Sequence, residues 1–213
     1  MQASPKGKIG VRFPARALSS IANFRVPIAD ETAAMNSSTF LSDQHWMREA
    51  LFEARKCLRA IDASTRNFQT PSPNPQSAIG NPQPNDVPVG AVCVYQNRII
   101  ARAHNQRELN ADPTAHAEVL ALREAARVLA TRHLEKVALF VTLEPCPMCA
   151  GALCLSRIGR VVFGAFDEKA GACGSVFDIA RDPRLNHRPQ LRGGVLEEEC
   201  GALLTEFFAS TRR

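Results

Sequence analysis

Val137-Ala138-Leu139-Phe140-Val141-Thr142-Leu143-Glu144-Pro145-Cys146-Pro147-Met148-Cys149-Ala150-Gly151-Ala152 changes character once, at Glu144-Pro145. The run from Val137 to Leu143 suits a strand buried on both faces of a sheet, and Pro145 then opens a helix through Ala152. A buried strand therefore delivers two cysteines to a helix start. Cys146 and Cys149 are three residues apart, so they share a helix face, and in the first turn the backbone dipole favours two thiolates.

Downstream, Arg160 to Phe166 reads as another buried strand, followed by a bend at Gly171 and Gly174, a polar stretch through Arg192, and a closing helix from Val195 to Phe208. Upstream, Thr114 to about Arg132 is helical, with Val119, Leu120, Leu122, Ala126 and Leu129 on one face. Val87 to Val94 and Arg98 to Ala103 form a hairpin joined around Gln96-Asn97. Before it, Trp46, Met47, Ala50, Leu51, Ala54, Cys57, Leu58 and Ile61 recur at helical spacing, with Ser42 or Asp43 to cap the start. Strands alternating with helices predict an α/β sandwich whose sheet is covered by helices on both faces.

The upstream helix carries His116-Ala117-Glu118 at its start, about thirty residues before Cys146. Zinc accepts imidazole nitrogen and thiolate sulfur, and a structural site usually closes with a fourth side chain; three ligands leave a position for water. His116, Cys146 and Cys149 are the expected zinc ligands, one ion per subunit. Glu118 is left over as the proton carrier. In that reading zinc lowers the pKa of its water toward about 7, so hydroxide is available at neutral pH. Glu118 takes the water proton, passes it to a ring nitrogen as the amidine carbon is attacked, and helps ammonia leave. H-x-E with P-C-x-x-C is the known signature of zinc nucleobase deaminases. Alone, C-x-x-C also fits a zinc-ribbon fragment or a packing pair, and H-x-E occurs by chance. Together, each at a helix start, they point to hydrolytic deamination. His104 is a further imidazole, but three ligands suffice.

Composition permits this chemistry and narrows its setting. At 213 residues the chain holds one catalytic domain, at 41–213, with appendages. Net charge is +5, of which Lys6, Lys8, Arg12, Arg16 and Arg25 against Asp30 and Glu31 place +3 in the first 34 residues. The remainder is mildly basic, so a nucleic-acid footprint must be local, for example Arg181, Arg184, Arg188 and Arg192. Seven cysteines without a secretory leader argue against a disulfide framework; Cys57, Cys93, Cys154, Cys173 and Cys200 read as small packing residues. No apolar run approaches the roughly 20 residues that cross a bilayer. Residues 1–40 are expected to be a disordered basic extension, with Met35 an alternative start. Residues 1–34 also have some transit-peptide character, so the cytoplasm is the expected location and an organelle stroma or matrix the alternative. Five prolines place a surface insert at about 63–86.

Three segments carry a closer likeness: Val87-Pro88-Val89-Gly90-Ala91-Val92, Asp112-Pro113-Thr114-Ala115-His116-Ala117-Glu118, and Thr142 to Ala152. Ser156 to Ala165, Asn186-His187-Arg188, Glu199-Cys200 and Phe207-Phe208 extend it. The chain from about 43 to 213, apart from the insert, closely resembles the bacterial tRNA-specific adenosine deaminase family. The resemblance implies a cytidine-deaminase-like three-layer α/β/α sandwich with a mixed sheet, a homodimer, and hydrolysis of adenosine to inosine at the wobble position of a tRNA anticodon. It also implies a flipped-out base in the pocket, with Asn105, Ala117 and Pro145 contacting substrate. Asp167 matches a position near the RNA, and Phe207, Phe208, Arg212 and Arg213 match a carboxyl-terminal helix along it. The family's usual Trp-Asn-Arg is His104-Asn105-Gln106 here, which removes a phosphate-pairing arginine and leaves Arg107 as its substitute.

Two rivals remain at this level. The same zinc centre serves free-base or nucleoside deaminases acting on guanine or cytosine. A non-catalytic zinc-stabilised RNA-binding subunit would have no use for Glu118.

Overall fold

The computed structural model describes residues 41–64 and 86–211. The expectations for residues 1–40, most of the insert, Arg212 and Arg213 lie outside them. α1 runs Asp43–Ser64, and a hairpin follows, of β1 (Gly90–Tyr95) and β2 (Arg98–His104). Next come a one-turn helix α2 (Arg107–Asn110), α3 (Ala117–Val128), β3 (Val137–Leu143), α4 (Pro147–Leu155) and β4 (Arg160–Ala165). A 3-10 turn at Ile179–Arg181, β5 (Gln190–Arg192) and α5 (Glu197–Thr211) follow, the last elements among the described residues.

The strands form one mixed sheet in the order β2-β1-β3-β4-β5. β1 is antiparallel to β2 and β3, whereas β3, β4 and β5 are parallel. The hairpin turns on two residues, and Gln96 and Asn97 both adopt positive φ, 48° and 57°, the geometry that matches the twist of the paired strands.

Why the strands read as apolar is visible in where alternate residues go. Ala91 and Cys93, Leu139 and Val141, and Val161 and Phe163 face α3 and α4. Val92 and Val94, Phe140, and Val162 pack with Trp46, Met47, Ala50, Leu51 and Ala54 of α1 and Cys200 and Leu203 of α5. Both faces are thus covered, and the three-layer α/β/α sandwich expected from the sequence is the observed fold.

Gly90 sets how closely α1 approaches. A Cβ there would collide with the Ala50 carbonyl and the Ala54 amide, so only glycine lets the helix backbone rest on the strand. We expect Gly90→Ala to destabilise by roughly 2–3 kcal/mol, read from the urea midpoint. Gly201→Ala, in open space on α5, should be neutral or stabilising by up to about 1 kcal/mol. The amino end of α1 is fixed electrostatically: Asp43 accepts two 2.7 Å bonds from Arg160 and one of 2.6 Å from Arg192. The Arg160 guanidinium holds its carboxyl below the usual range.

Several boundaries differ from the sequence reading, each for a local reason. α3 begins at Ala117 rather than Thr114, because Asp112 binds the Thr114 amide (2.8 Å) and hydroxyl (2.7 Å) in a turn that competes with helix. α4 begins at Pro147, not Pro145; Cys146 is its extended N-cap and proline takes the first helical position. α3 stops at Val128, where Ala130 turns to φ 50°. The polar stretch before Arg192 contains the 3-10 turn and β5, which carry too little apolar pattern to register.

Candidate active site

The helix starts of α3 and α4 meet beyond the carboxyl end of β3, the usual ligand position in open α/β sheets. His116 is the extended N-cap of α3 (φ −74°, ψ 147°) and Cys146 that of α4 (φ −71°, ψ 173°); Cys149 lies in the first turn of α4. Their ligand atoms all fall within 4.8 Å of one another. His116 Nδ1 is 3.7 Å from Cys146 Sγ and 3.5 Å from Cys149 Sγ. A tetrahedral zinc, with bonds of about 2.3 Å to sulfur and about 2.0 Å to nitrogen, holds its ligand atoms about 3.5–3.8 Å apart, so the donor set fits that ion.

The cluster holds protons that a divalent cation would displace. The Cys149 thiol donates toward Cys146, which puts Cys146 down to about 4 and Cys149 up, and the bond with Cys146 raises His116. The two thiols thus divide one proton, and a divalent cation binds where both release theirs. The five remaining cysteines are unpaired and buried, as expected. Burial pushes Cys57, Cys93, Cys173 and Cys200 up to about 12.

Glu118 sits in the first turn of α3, only 4% exposed, and is not one of the three clustered ligands. Burial is the main force on it and raises its carboxyl to about 6, within hydrogen-bond reach of Cys149. A carboxyl poised near neutrality both accepts and returns a proton readily, the property required of a shuttle.

Asn105 is 7% exposed and bridges two segments. Its Oδ1 accepts from the Ala117 amide (2.9 Å), and its Nδ2 donates to the Val87 carbonyl (3.1 Å). It therefore ties the Val-Pro-Val-Gly segment to the start of α3 beside the centre. We expect Asn105→Ala, which orphans the buried Ala117 amide, to lower the unfolding free energy of metal-loaded protein by about 1–3 kcal/mol. An unchanged urea midpoint would remove this bridging role.

The remaining site candidates are placed as follows. Ala117 is fully buried, and Pro145 is buried with its carbonyl accepting from the Ala172 amide (2.8 Å). Asp167 starts a loop, and its Oδ1 accepts from the Lys169 (2.9 Å) and Ala170 (3.2 Å) amides. Phe207 and Phe208 touch edge to face, but Phe207 is 3% exposed and packs inward while Phe208 is 47% exposed. His104 is half-buried and lines a groove of about 580 Å³ with Glu53 and Lys56, apart from the metal cluster. Arg107 is exposed, and its charge reaches His116. Of the basic residues singled out, Arg181, Arg184 and Arg192 pair with Asp178, Asp182 and Asp43. Two arrangements escaped the sequence reading: Asp86 caps α2 through the Glu108 (3.0 Å) and Leu109 (3.2 Å) amides, and Glu144 binds the 167–175 loop. Their partners lie more than twenty residues away, beyond any local pattern.

A family model described as MafB19-like deaminase matches residues 73–212. The chain is 52% identical over 128 residues to the tRNA-specific adenosine deaminase of Bacillus subtilis strain 168, covering 60% of this chain and 80% of that protein. The chain belongs to the tRNA-specific adenosine deaminase family. Identity to the deaminase of that name from Haemophilus influenzae is 48% over 128 residues, 60% of this chain and 74% of the relative. The fold of this deaminase also matches a solved structure from work on A-to-I editing by tRNA:A34 deaminases at the wobble position of transfer RNA. The TM-score is 0.60 at 34% identity, over 75% of this chain and 98% of that one. A guanine deaminase from Nitrosomonas europaea shares the fold at TM-score 0.56 and 23% identity, covering 79% and 85% of the two chains.

Proposed function

We propose that this deaminase hydrolyses adenosine to inosine at the first anticodon nucleotide of a tRNA, releasing ammonia. The observation that carries the chemistry is the His116, Cys146 and Cys149 cluster with a buried, unligated Glu118 beside it. The substrate is supported by the family, whose relatives are named for tRNA-specific adenosine deamination, and by the likeness to a solved structure from work on tRNA:A34 deaminases.

His116, Cys146 and Cys149 would hold one zinc ion. When bound, zinc lowers the pKa of a bound water and so supplies the nucleophile at neutral pH. Glu118 takes up the water proton and returns it to the purine N1 as the C6–O bond forms. It then carries the remaining proton to the departing amino group as the C6–N bond breaks. Water and adenosine are consumed, inosine and ammonia formed, and no redox partner is needed.

Asn105, Ala117 and Pro145 line the position of the base in this reading. Asp167 and the outward Phe208 face the RNA, and Phe207 acts by backing Phe208. A homodimer in the cytoplasm completes the proposal; no helix among the described residues is long and apolar enough to cross a membrane. The test is sequencing of a tRNA pool treated with purified protein, reading A-to-I conversion at the wobble nucleotide, beside ammonia release from guanine and cytosine. Inosine at that position supports the reading. Ammonia from free bases without inosine would move the chain to the free-base deaminases.

A further inference from the structure

Glu144 has a buried carboxylate that the chemistry above leaves unused. It immediately precedes the Pro145-Cys146 pair and lies outside the metal-ligating cluster. Strand pairing does not need its side chain, because the Glu144 amide already donates to the Ala165 carbonyl (2.9 Å). The carboxylate instead turns toward the loop after β4. Oε1 accepts from the amides of Cys173 (2.9 Å) and Ser175 (3.1 Å). Oε2 accepts from the Asp167 amide (3.2 Å) and the Ser175 hydroxyl. Burial works to raise this carboxyl, but those bonds together hold it below the usual carboxylate range.

Two further features confine the same loop. The Ala172 amide donates to the Pro145 carbonyl (2.8 Å), so the loop is tied to both residues preceding the ligand Cys146. A Cβ at Gly171 would collide with the Glu144 carboxylate, so glycine is required for the wrap to close. The loop also brings Cys173 near enough to Glu118 to feel its charge. One carboxylate therefore organises the segment 167–175 beside the reaction centre, and that segment contains neither a metal ligand nor the proton carrier.

We propose that Glu144 is a positioning residue for substrate binding, whose carboxylate preforms the 167–175 loop as a wall of the RNA pocket with Asp167 fixed at its rim. The proposal rests on the reading of the protein as a tRNA deaminase. A preformed wall lowers the ordering cost of binding and leaves the proton transfers of Glu118 untouched, so its loss belongs in KM rather than kcat.

Steady-state inosine formation on an anticodon stem-loop tests this. Glu144→Gln keeps the shape but turns a carboxamide nitrogen toward backbone N–H donors. KM should rise about tenfold, the effect of losing one charge-assisted hydrogen bond, with kcat and metal content retained. Ser175→Ala removes one hydroxyl at an exposed position, folds without difficulty, and should raise KM in the same direction by less. A fall in kcat with KM unchanged, loss of metal from Glu144→Gln, or wild-type KM in both variants would overturn the proposal. If the wild-type protein forms no inosine, the functional reading fails first, and the two failures are told apart by that control.

Discussion

Glu118→Gln is expected to reduce inosine formation by about 10³–10⁴-fold while the protein stays folded and metal-loaded. The size follows from the usual contribution of a positioned proton carrier and corresponds to roughly 4–5.5 kcal/mol of transition-state stabilisation. Glutamine fills the same volume and retains a carbonyl oxygen toward Cys149, but it cannot accept a proton from water and deliver it to the base. Stability should not fall, because Glu118 is buried and the charged form opposes burial; removing the charge relieves desolvation. Single-turnover inosine formation, bound metal per chain and the thermal midpoint, measured together, separate loss of chemistry from loss of structure. Activity within tenfold of wild type would exclude Glu118 as the shuttle.

What the sequence made legible was local in the chain. The strand from Val137 to Leu143 matches its reading residue for residue, because burial on both faces demands an unbroken apolar run. The hairpin turn at Gln96-Asn97 and the helix from Asp43 were equally plain. His116 and Cys146 were expected inside first turns and are found just before them, as N-caps, because the helices start three and two residues later than expected. That shift keeps both side chains at the helix ends, so the cluster survives it. Features set by distant partners were not legible. Nothing near Glu144 announces amide partners 23 to 31 residues ahead, and Asp86 meets its partners 22 and 23 residues on. β5 is three residues long and is defined by pairing with β4, not by its own composition. Phe207 and Phe208 show the limit in miniature: neighbours on a helix point about 100° apart, so one ring is core and the other surface.

Removing the metal should produce the largest change in stability, and Cys149→Ala should reproduce it. Cys149 is fully buried, and its loss leaves only His116 and Cys146 of the three clustered donors, too few to retain zinc against a chelator. The ion would join the starts of α3 and α4. Binding only to the folded state stabilises by mass action, about 4 kcal/mol when free metal is a thousand-fold above its dissociation constant. For a chain of this size that corresponds to a thermal shift on the order of 10 °C. Wild-type protein treated with a chelator should therefore lose on the order of 10 °C and all activity, and regain both on adding zinc. Cys149→Ala should start at the lowered midpoint and respond to neither reagent. Cys93→Ala provides the contrast: its thiol is as deeply buried and is pushed up to about 12 by that burial alone, so its loss should leave the chelator response intact. A Cys149→Ala protein that still gains stability from zinc would show that the ion is held elsewhere. Equal chelator responses in both variants would mean that burial, not ligation, explains why these cysteines are where they are.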